Sequence, residues 1–103
     1  METPEGKVKK KLIDYIKDLQ AAGEKIYYEP REAGGYTYRK GQPDYWLVYN
    51  GRHIEIEVKA PGGEQSAMQI KWQHIFWSLG IECYCIESVN ELKEILNKKA
   101  DPA

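Results

Sequence analysis

The spacing of apolar residues predicts a helix at the start of the chain. Apolar side chains recur every three or four positions over residues 8–19, which is the period of one helix face. Thr3 supplies an N-cap and Pro4 a residue suited to the first helical turn. Gly23 follows the last periodic residue and predicts the end of this helix.

The period then changes to that of strands. A tight turn is predicted at Asn50-Gly51, the residue pair that favours a type I′ hairpin. Two further helices are predicted, one over 66–79 and an amphipathic one after Ser88. Residues 36–39 are a weaker strand candidate. The clearer strand candidates are 25–29, 45–49, 52–59 and 81–87.

The order of elements predicts an α/β fold in a single domain over residues 1–103. It reads α, three β, α, β, with an additional helix at the C-terminal end. Such an order is typical of a mixed central sheet flanked by helices.

Charge and composition exclude several classes of protein. Fifteen Lys and Arg against sixteen Asp and Glu give a net charge of −1, which argues against a protein that coats nucleic acid by bulk charge but allows a local basic face. No apolar run approaches the ~20 residues that a membrane span needs, and the first residues do not resemble a signal peptide. We therefore expect a cytosolic protein, with Cys83 and Cys85 as reduced thiols in a strand.

The hairpin brings acidic residues together. On its second strand aliphatic residues face one way, while Glu55, Glu57 and Lys59 face the other. A turn at residues 50–51 places Asp44 opposite Glu57, at the 4.5–5.5 Å Cβ separation that is usual for cross-strand neighbours. Glu55, two residues away on the same face, could support the site residues from behind, although a surface charge is the favoured interpretation.

This pair of carboxylates predicts a metal site. Two carboxylates so close repel each other unless a cation lies between them, and Mg²⁺ prefers hard oxygen ligands. Asp44 and Glu57 are the expected ligands, with the carbonyl of Val58 as a further one. Lys59 would assist a metal-bound water, and the predicted chemistry is metal-assisted hydrolysis of a phosphodiester.

These residues also resemble a known family. Pro43-Asp44 followed by Glu57-Val58-Lys59 resembles the PD-(D/E)xK nuclease signature. The wider pattern, over residues 5–96, resembles the virus-type replication-repair nuclease (VRR-Nuc) domain. Its matching segments are Gly41-Gln42-Pro43-Asp44, Asn50-Gly51, the run Ile-Glu-Val-Lys-Ala-Pro-Gly-Gly at 56–63, Ser66 and Gln69.

The resemblance implies a restriction-endonuclease-like fold, dependence on Mg²⁺ or Mn²⁺, and cleavage of DNA. It adds Glu5 to the expected metal ligands and Gln69 to the catalytic residues. It also implies a homodimer that acts on branched DNA such as a Holliday junction, in the cytosol of a phage-infected or bacterial cell.

Basic residues near the site predict a rim that contacts DNA phosphates. Tyr36 and Tyr38 are interleaved with them, and Lys9-Lys10-Lys11 is either a solvated helix face or an extension of the rim. The expected DNA-binding residues are Arg31, Arg39, Lys40, Arg52 and Lys71.

An aromatic stripe on the second predicted helix exceeds what one sheet face needs. Trp72, Phe76 and Trp77 recur at helical spacing, and part of the stripe is expected in a dimer interface.

Two other functions stay open at this point. The chain could be a DNA-binding module that keeps the nuclease fold without turnover, or a structural α/β domain with no nucleic-acid role. A DNA-binding module would bind DNA without cleaving it. A structural domain with no nucleic-acid role would not be stabilised by metal in a thermal melt.

Overall fold

A computed structural model describes residues 3–31 and 39–98, so most of the weak strand candidate at 36–39 lies outside the described residues. The α/β fold and the predicted order of elements are confirmed. The helices are α1 (Pro4–Ala21), α2 (Ala67–Ser78) and α3 (Val89–Asn97), and the strands are β1 (Ile26–Pro30), β2 (Tyr45–Tyr49), β3 (Arg52–Val58) and β4 (Glu82–Ile86).

Side-chain caps define where the helices begin. The Thr3 hydroxyl accepts a hydrogen bond from the Gly6 amide at 3.0 Å, which satisfies one of the free N–H groups of the first turn of α1. At α2 the Ser66 hydroxyl and the Gln69 side chain form a reciprocal capping box. Ser88 caps α3 in the same way, by accepting from the Glu91 amide.

The strands form one sheet in the order β1-β2-β3-β4. The first three are an antiparallel meander, and β4 returns parallel to β3 after the crossover through α2. Asn50 and Gly51 have φ angles of 49° and 81°, as a type I′ turn requires. This turn sets the register, because it pairs Tyr49 with Arg52 and Tyr45 with Ile56.

The two faces of the sheet are covered by different helices. The aliphatic face packs on α1 and α3, and α2 lies over part of the other face, along β4. The main core consists of Val8, Leu12, Ile16, Ile26, Tyr45, Leu47, Ile54, Ile56, Val58, Ile86, Leu92, Ile95 and Leu96. Because helices cover both faces of β3, all its residues from Ile54 to Val58 are buried.

Both cysteines are free, as predicted. Burial is the main cause that raises the pKa of Cys83 to about 12 and that of Cys85 to about 11, so both thiols stay protonated at neutral pH. No helix in residues 3–31 and 39–98 is long and apolar enough to cross a membrane.

Candidate active site

Asp44 lies one residue before β2 and faces the end of β3. Its Oδ2 accepts a hydrogen bond from the Val58 amide at 2.8 Å. Its backbone carbonyl accepts from the Arg31 amide, also at 2.8 Å, which extends the β1–β2 ladder by one residue. The carboxylate is therefore held beside the last residues of β3, one step beyond the Tyr45–Ile56 pair.

Glu57 is the buried member of the acidic pair, and only 4% of its surface is exposed. Its Oε1 accepts a hydrogen bond from Gln69 Nε2 at 2.6 Å and lies 3.9 Å from Lys59 Nζ. Its Oε2 is buried and has no hydrogen-bond partner among the described residues. Burial, and then the negative charge of Asp44, raise the pKa of Glu57 to about 8, although Lys59 acts in the opposite direction.

Gln69 connects the start of α2 to this pair. Its Oε1 accepts from the Ser66 amide at 2.8 Å as part of the capping box, which leaves Nε2 to donate to Glu57. The fold of the helix N-terminus thus orients the amide group toward the carboxylate.

The first helix brings two charged groups to the site. Lys9 Nζ lies 3.2 Å from Glu5 Oε2 and 3.5 Å from Asp44 Oδ1, so it links the two carboxylates. Burial lowers the pKa of Lys9, but the charges of Asp44 and Glu5 outweigh burial and leave that pKa above its ordinary value. The sequence predicts Lys9 to be a helix-face or rim residue. The feature of the sequence that indicates its pairing with Glu5 is the spacing of one helical turn between them.

The donor set suits a hard divalent ion. Within residues 3–31 and 39–98, no three His, Cys, Asp or Glu side chains are placed to hold a metal by themselves. Mg²⁺, however, usually takes one or two carboxylates and completes its shell with water and substrate phosphate. The unpaired buried oxygen of Glu57 is a hard donor that needs a partner, and Asp44 lies next to it. These residues therefore fit Mg²⁺ or Mn²⁺.

Glu55 is not the surface charge that the sequence suggested. It is 0% exposed, because α2 and the Arg31 side chain cover its face of β3. Its Oε1 pairs with Arg31 Nη1, and its Oε2 lies 2.6 Å from His53 Nε2.

Two arginines that were expected to contact DNA are engaged inside the protein. Arg31 pairs with buried Glu55, because a buried carboxylate needs a compensating charge. Arg52 forms a two-pronged ion pair with Glu82, with Nη2 2.7 Å from Oε1 and Nε 3.0 Å from Oε2. Arg52 also donates to the carbonyls of Ile95 and Lys98 at the end of α3, so its side chain has a structural role.

The remaining basic residues of the expected rim lie at the loop before β2 and on α2. Arg39, Lys40 and Lys71 are exposed. The Lys40 carbonyl accepts from Trp72 Nε1 at 3.0 Å, which attaches this loop to α2. Gly41 has a φ of 87°, and a Cβ there would lie 2.6 Å from Met68 Cβ, so the close contact between loop and helix requires glycine.

The aromatic stripe of α2 is only partly covered. Phe76 packs under the Arg31 guanidinium, and Trp77 donates to the Cys83 carbonyl at 2.8 Å. Every residue of α2 keeps part of its surface accessible. Ile70 and Trp77, seven residues apart and so on the same side of the helix, are 42% and 46% exposed.

The α/β fold of this chain also occurs in a solved structure. One solved structure with this fold is described as a VRR_NUC domain: it superimposes with a TM-score of 0.73, over 91% of this chain and 95% of that chain, at 20% sequence identity. The restriction-endonuclease-like fold implied by the sequence resemblance is thereby confirmed. No protein-family model matches the sequence, and no curated protein matches it.

Proposed function

We propose that this protein is a DNA endonuclease that depends on Mg²⁺ or Mn²⁺ and hydrolyses phosphodiester bonds. The observation that carries the proposal is the buried, unpaired Oε2 of Glu57 beside the Asp44 carboxylate. A buried carboxylate in this state is costly to the fold, and a cation shared with Asp44 removes that cost.

Asp44, Glu57 and the Val58 carbonyl would hold the metal, and Glu5 would join them from α1. The metal, when bound, supplies an acidic water and polarises the phosphate. Lys9 neutralises Glu5 and Asp44, and with a metal bound to these carboxylates its ammonium would be available to a phosphate oxygen.

Lys59 and Gln69 serve the reaction as donors. Lys59 Nζ lies near Glu57 and can hold the attacking water or stabilise the negative charge that develops on the phosphate. Gln69 holds Glu57 in place through its 2.6 Å hydrogen bond. Lys59 directly follows the last residue of β3, and Gln69 lies in the first turn of α2.

Substrate DNA would lie across the exposed loop and helix beside this cluster. Arg39, Lys40 and Lys71 are exposed basic residues that would contact its phosphates. We extend the proposal to branched DNA, including four-way junctions, cut by a homodimer. The support for a homodimer is the set of large apolar side chains exposed on α2 and at its C-cap, namely Met68, Ile70, Trp77 and Leu79, since exposed apolar surface on a small domain favours an interaction surface.

The test is cleavage of labelled duplex, flap, fork and four-way DNA with Mg²⁺, with Mn²⁺ and with chelator. We expect cleavage only with metal, and a loss of at least 100-fold in Asp44→Asn and Lys59→Met. Lys17→Met, at an exposed position of α1, is the matched control and should cut like wild type. Metal-dependent cleavage at full rate by Asp44→Asn would refute the assignment, and binding of DNA without cleavage would favour the inactive module.

A further inference from the structure

The segment that carries Asp44 has few backbone donors of its own. Pro43 precedes Asp44, lacks an N–H group, and is buried at the point where the loop enters β2. The carboxylate of Asp44 contacts the Val58 amide and Lys9 directly, and the backbone that carries it is held through the two carbonyls of this dipeptide.

Arg31 holds both of them. Its amide donates to the Asp44 carbonyl at 2.8 Å, and its Nη1 donates to the Pro43 carbonyl at 3.1 Å. The same Nη1 pairs with Glu55 on β3, two residues before Glu57. One residue thus connects the end of β1, the entry to β2 and the strand that carries the other metal-ligand candidate.

The surroundings fix the orientation of this guanidinium. The second oxygen of Glu55 lies 2.6 Å from His53 Nε2, so both oxygens of the buried carboxylate have partners. On the other side, the Phe76 ring of α2 lies 5.8 Å from Arg31 Cζ, in the range of a cation–π contact. A guanidinium held in this way can support the Pro43 carbonyl rigidly.

We propose that Arg31, anchored by Glu55, is a positioning residue that aims the Asp44 carboxylate at the metal site. The consequence for metal binding rests on the proposed function, whereas the positioning itself can be measured in the metal-free protein. The readout is the Val58 amide, because its acceptor is Asp44 Oδ2. The neighbouring Lys59 amide is the internal reference, because its acceptor is the Ile86 carbonyl on β4 at 2.9 Å.

The decisive variant is Arg31→Lys, which keeps the positive charge but lacks the planar fork that serves Glu55 and Pro43 together. We expect hydrogen exchange of the Val58 amide to accelerate roughly threefold to tenfold relative to the Lys59 amide, as the loss of one hydrogen bond implies. Arg52→Lys, which alters a similar ion pair away from the site, should leave this ratio unchanged. An unchanged ratio in Arg31→Lys, or an equal acceleration of both amides, would overturn the proposal.

Calorimetric titration with Mn²⁺ tests the consequence. We expect Arg31→Lys to bind Mn²⁺ about tenfold more weakly than wild type, the usual effect of a lost outer support of a metal ligand. If Arg31→Lys does not fold, Arg31→Met/Glu55→Met removes the buried charge together with its partner and should show the same change in exchange ratio. A wild-type protein that binds no Mn²⁺ would remove the proposed function, while the exchange ratio would still decide the role of Arg31.

Discussion

The Asp44 carboxylate accepts a hydrogen bond from the Val58 amide, with Oδ2 2.8 Å from the nitrogen. This contact closes the open end of the β2–β3 hairpin and places a negative charge beside Glu57. The hydrogen bond stabilises the hairpin. The negative charge of Asp44, in contrast, disfavours ionisation of the buried Glu57 and raises its pKa.

Asp44→Asn should lower the pKa of Glu57 from its value of about 8. Asparagine keeps an oxygen for the Val58 amide but removes the charge that opposes ionisation of Glu57. The pKa should stay above the ordinary value of 4.5, because burial is its larger cause. Titration of the Glu57 carboxyl carbon by NMR measures the change, and Glu5→Gln should produce a smaller one. No change in Asp44→Asn would mean that the two carboxylates do not interact.

The metal-free protein should lose stability as the pH rises from 4.5 to 8. Glu57 has a pKa of about 8 in the folded protein against 4.5 ordinarily, so over this window the folded state holds a proton that the unfolded state has released. The contribution of protonated Glu57 to the free energy of unfolding is therefore fully present below pH 4.5. It falls by up to about 5 kcal/mol between pH 4.5 and pH 8, at 1.36 kcal/mol per pH unit.

Glu57→Gln isolates this contribution, because the amide has nearly the same shape and does not titrate. Urea unfolding at several pH values in the presence of chelator measures the difference in free energy of unfolding between the two proteins. The free energy of unfolding of the variant should increase relative to that of wild type as the pH rises, and the variant should be the more stable protein at pH 9. A pH-independent difference would contradict the raised pKa.

Arg52→Met and Lys71→Met should separate structural from DNA-binding roles. Arg52→Met should lower the free energy of unfolding by about 2–4 kcal/mol, because it removes the cation that pairs with Glu82 and the donors to the carbonyls at the end of α3. Lys71→Met should leave stability within about 0.5 kcal/mol, since Lys71 is exposed.

Fluorescence anisotropy over a salt series gives the other half of this comparison. Lys71→Met should reduce the slope of log affinity against log salt by about 1, the share of one phosphate contact. Arg52→Met should leave that slope as it is in wild type. A reduced slope in Arg52→Met and an unchanged slope in Lys71→Met would instead show that Arg52 contacts DNA phosphate.

Ile70→Lys should disrupt self-association through α2. Ile70 and Trp77 are exposed on the same side of α2. A lysine introduced there cannot be buried against a second copy of the chain unless an acidic group pairs with it. Sedimentation at micromolar concentration should show a shift from dimer toward monomer. Val48→Lys, at an exposed apolar residue of β2, is the matched control and should remain dimeric. A wild-type protein that sediments as a monomer would refute the proposed homodimer.

The sequence by itself determined the elements and the hairpin register. The Asn50-Gly51 turn allows one tight geometry, and period-two alternation along β3 then follows from the backbone alone, so the approach of Asp44 to Glu57 is a local consequence. Helix starts at Thr3, Ser66 and Ser88 are local in the same sense, because each cap lies within three residues of the amide that it accepts from.

Only the tertiary structure decided which charges face inward. Glu55 and Lys59 have the same local pattern, yet Glu55 is buried because α2 and Arg31 cover its part of β3. The sequence predicts Arg31 and Arg52 as DNA-binding residues and does not indicate their carboxylate partners, which lie 24 and 30 residues away in sequence. A charged side chain takes the partner that packing brings within reach, and no periodicity along one strand or helix contains that information.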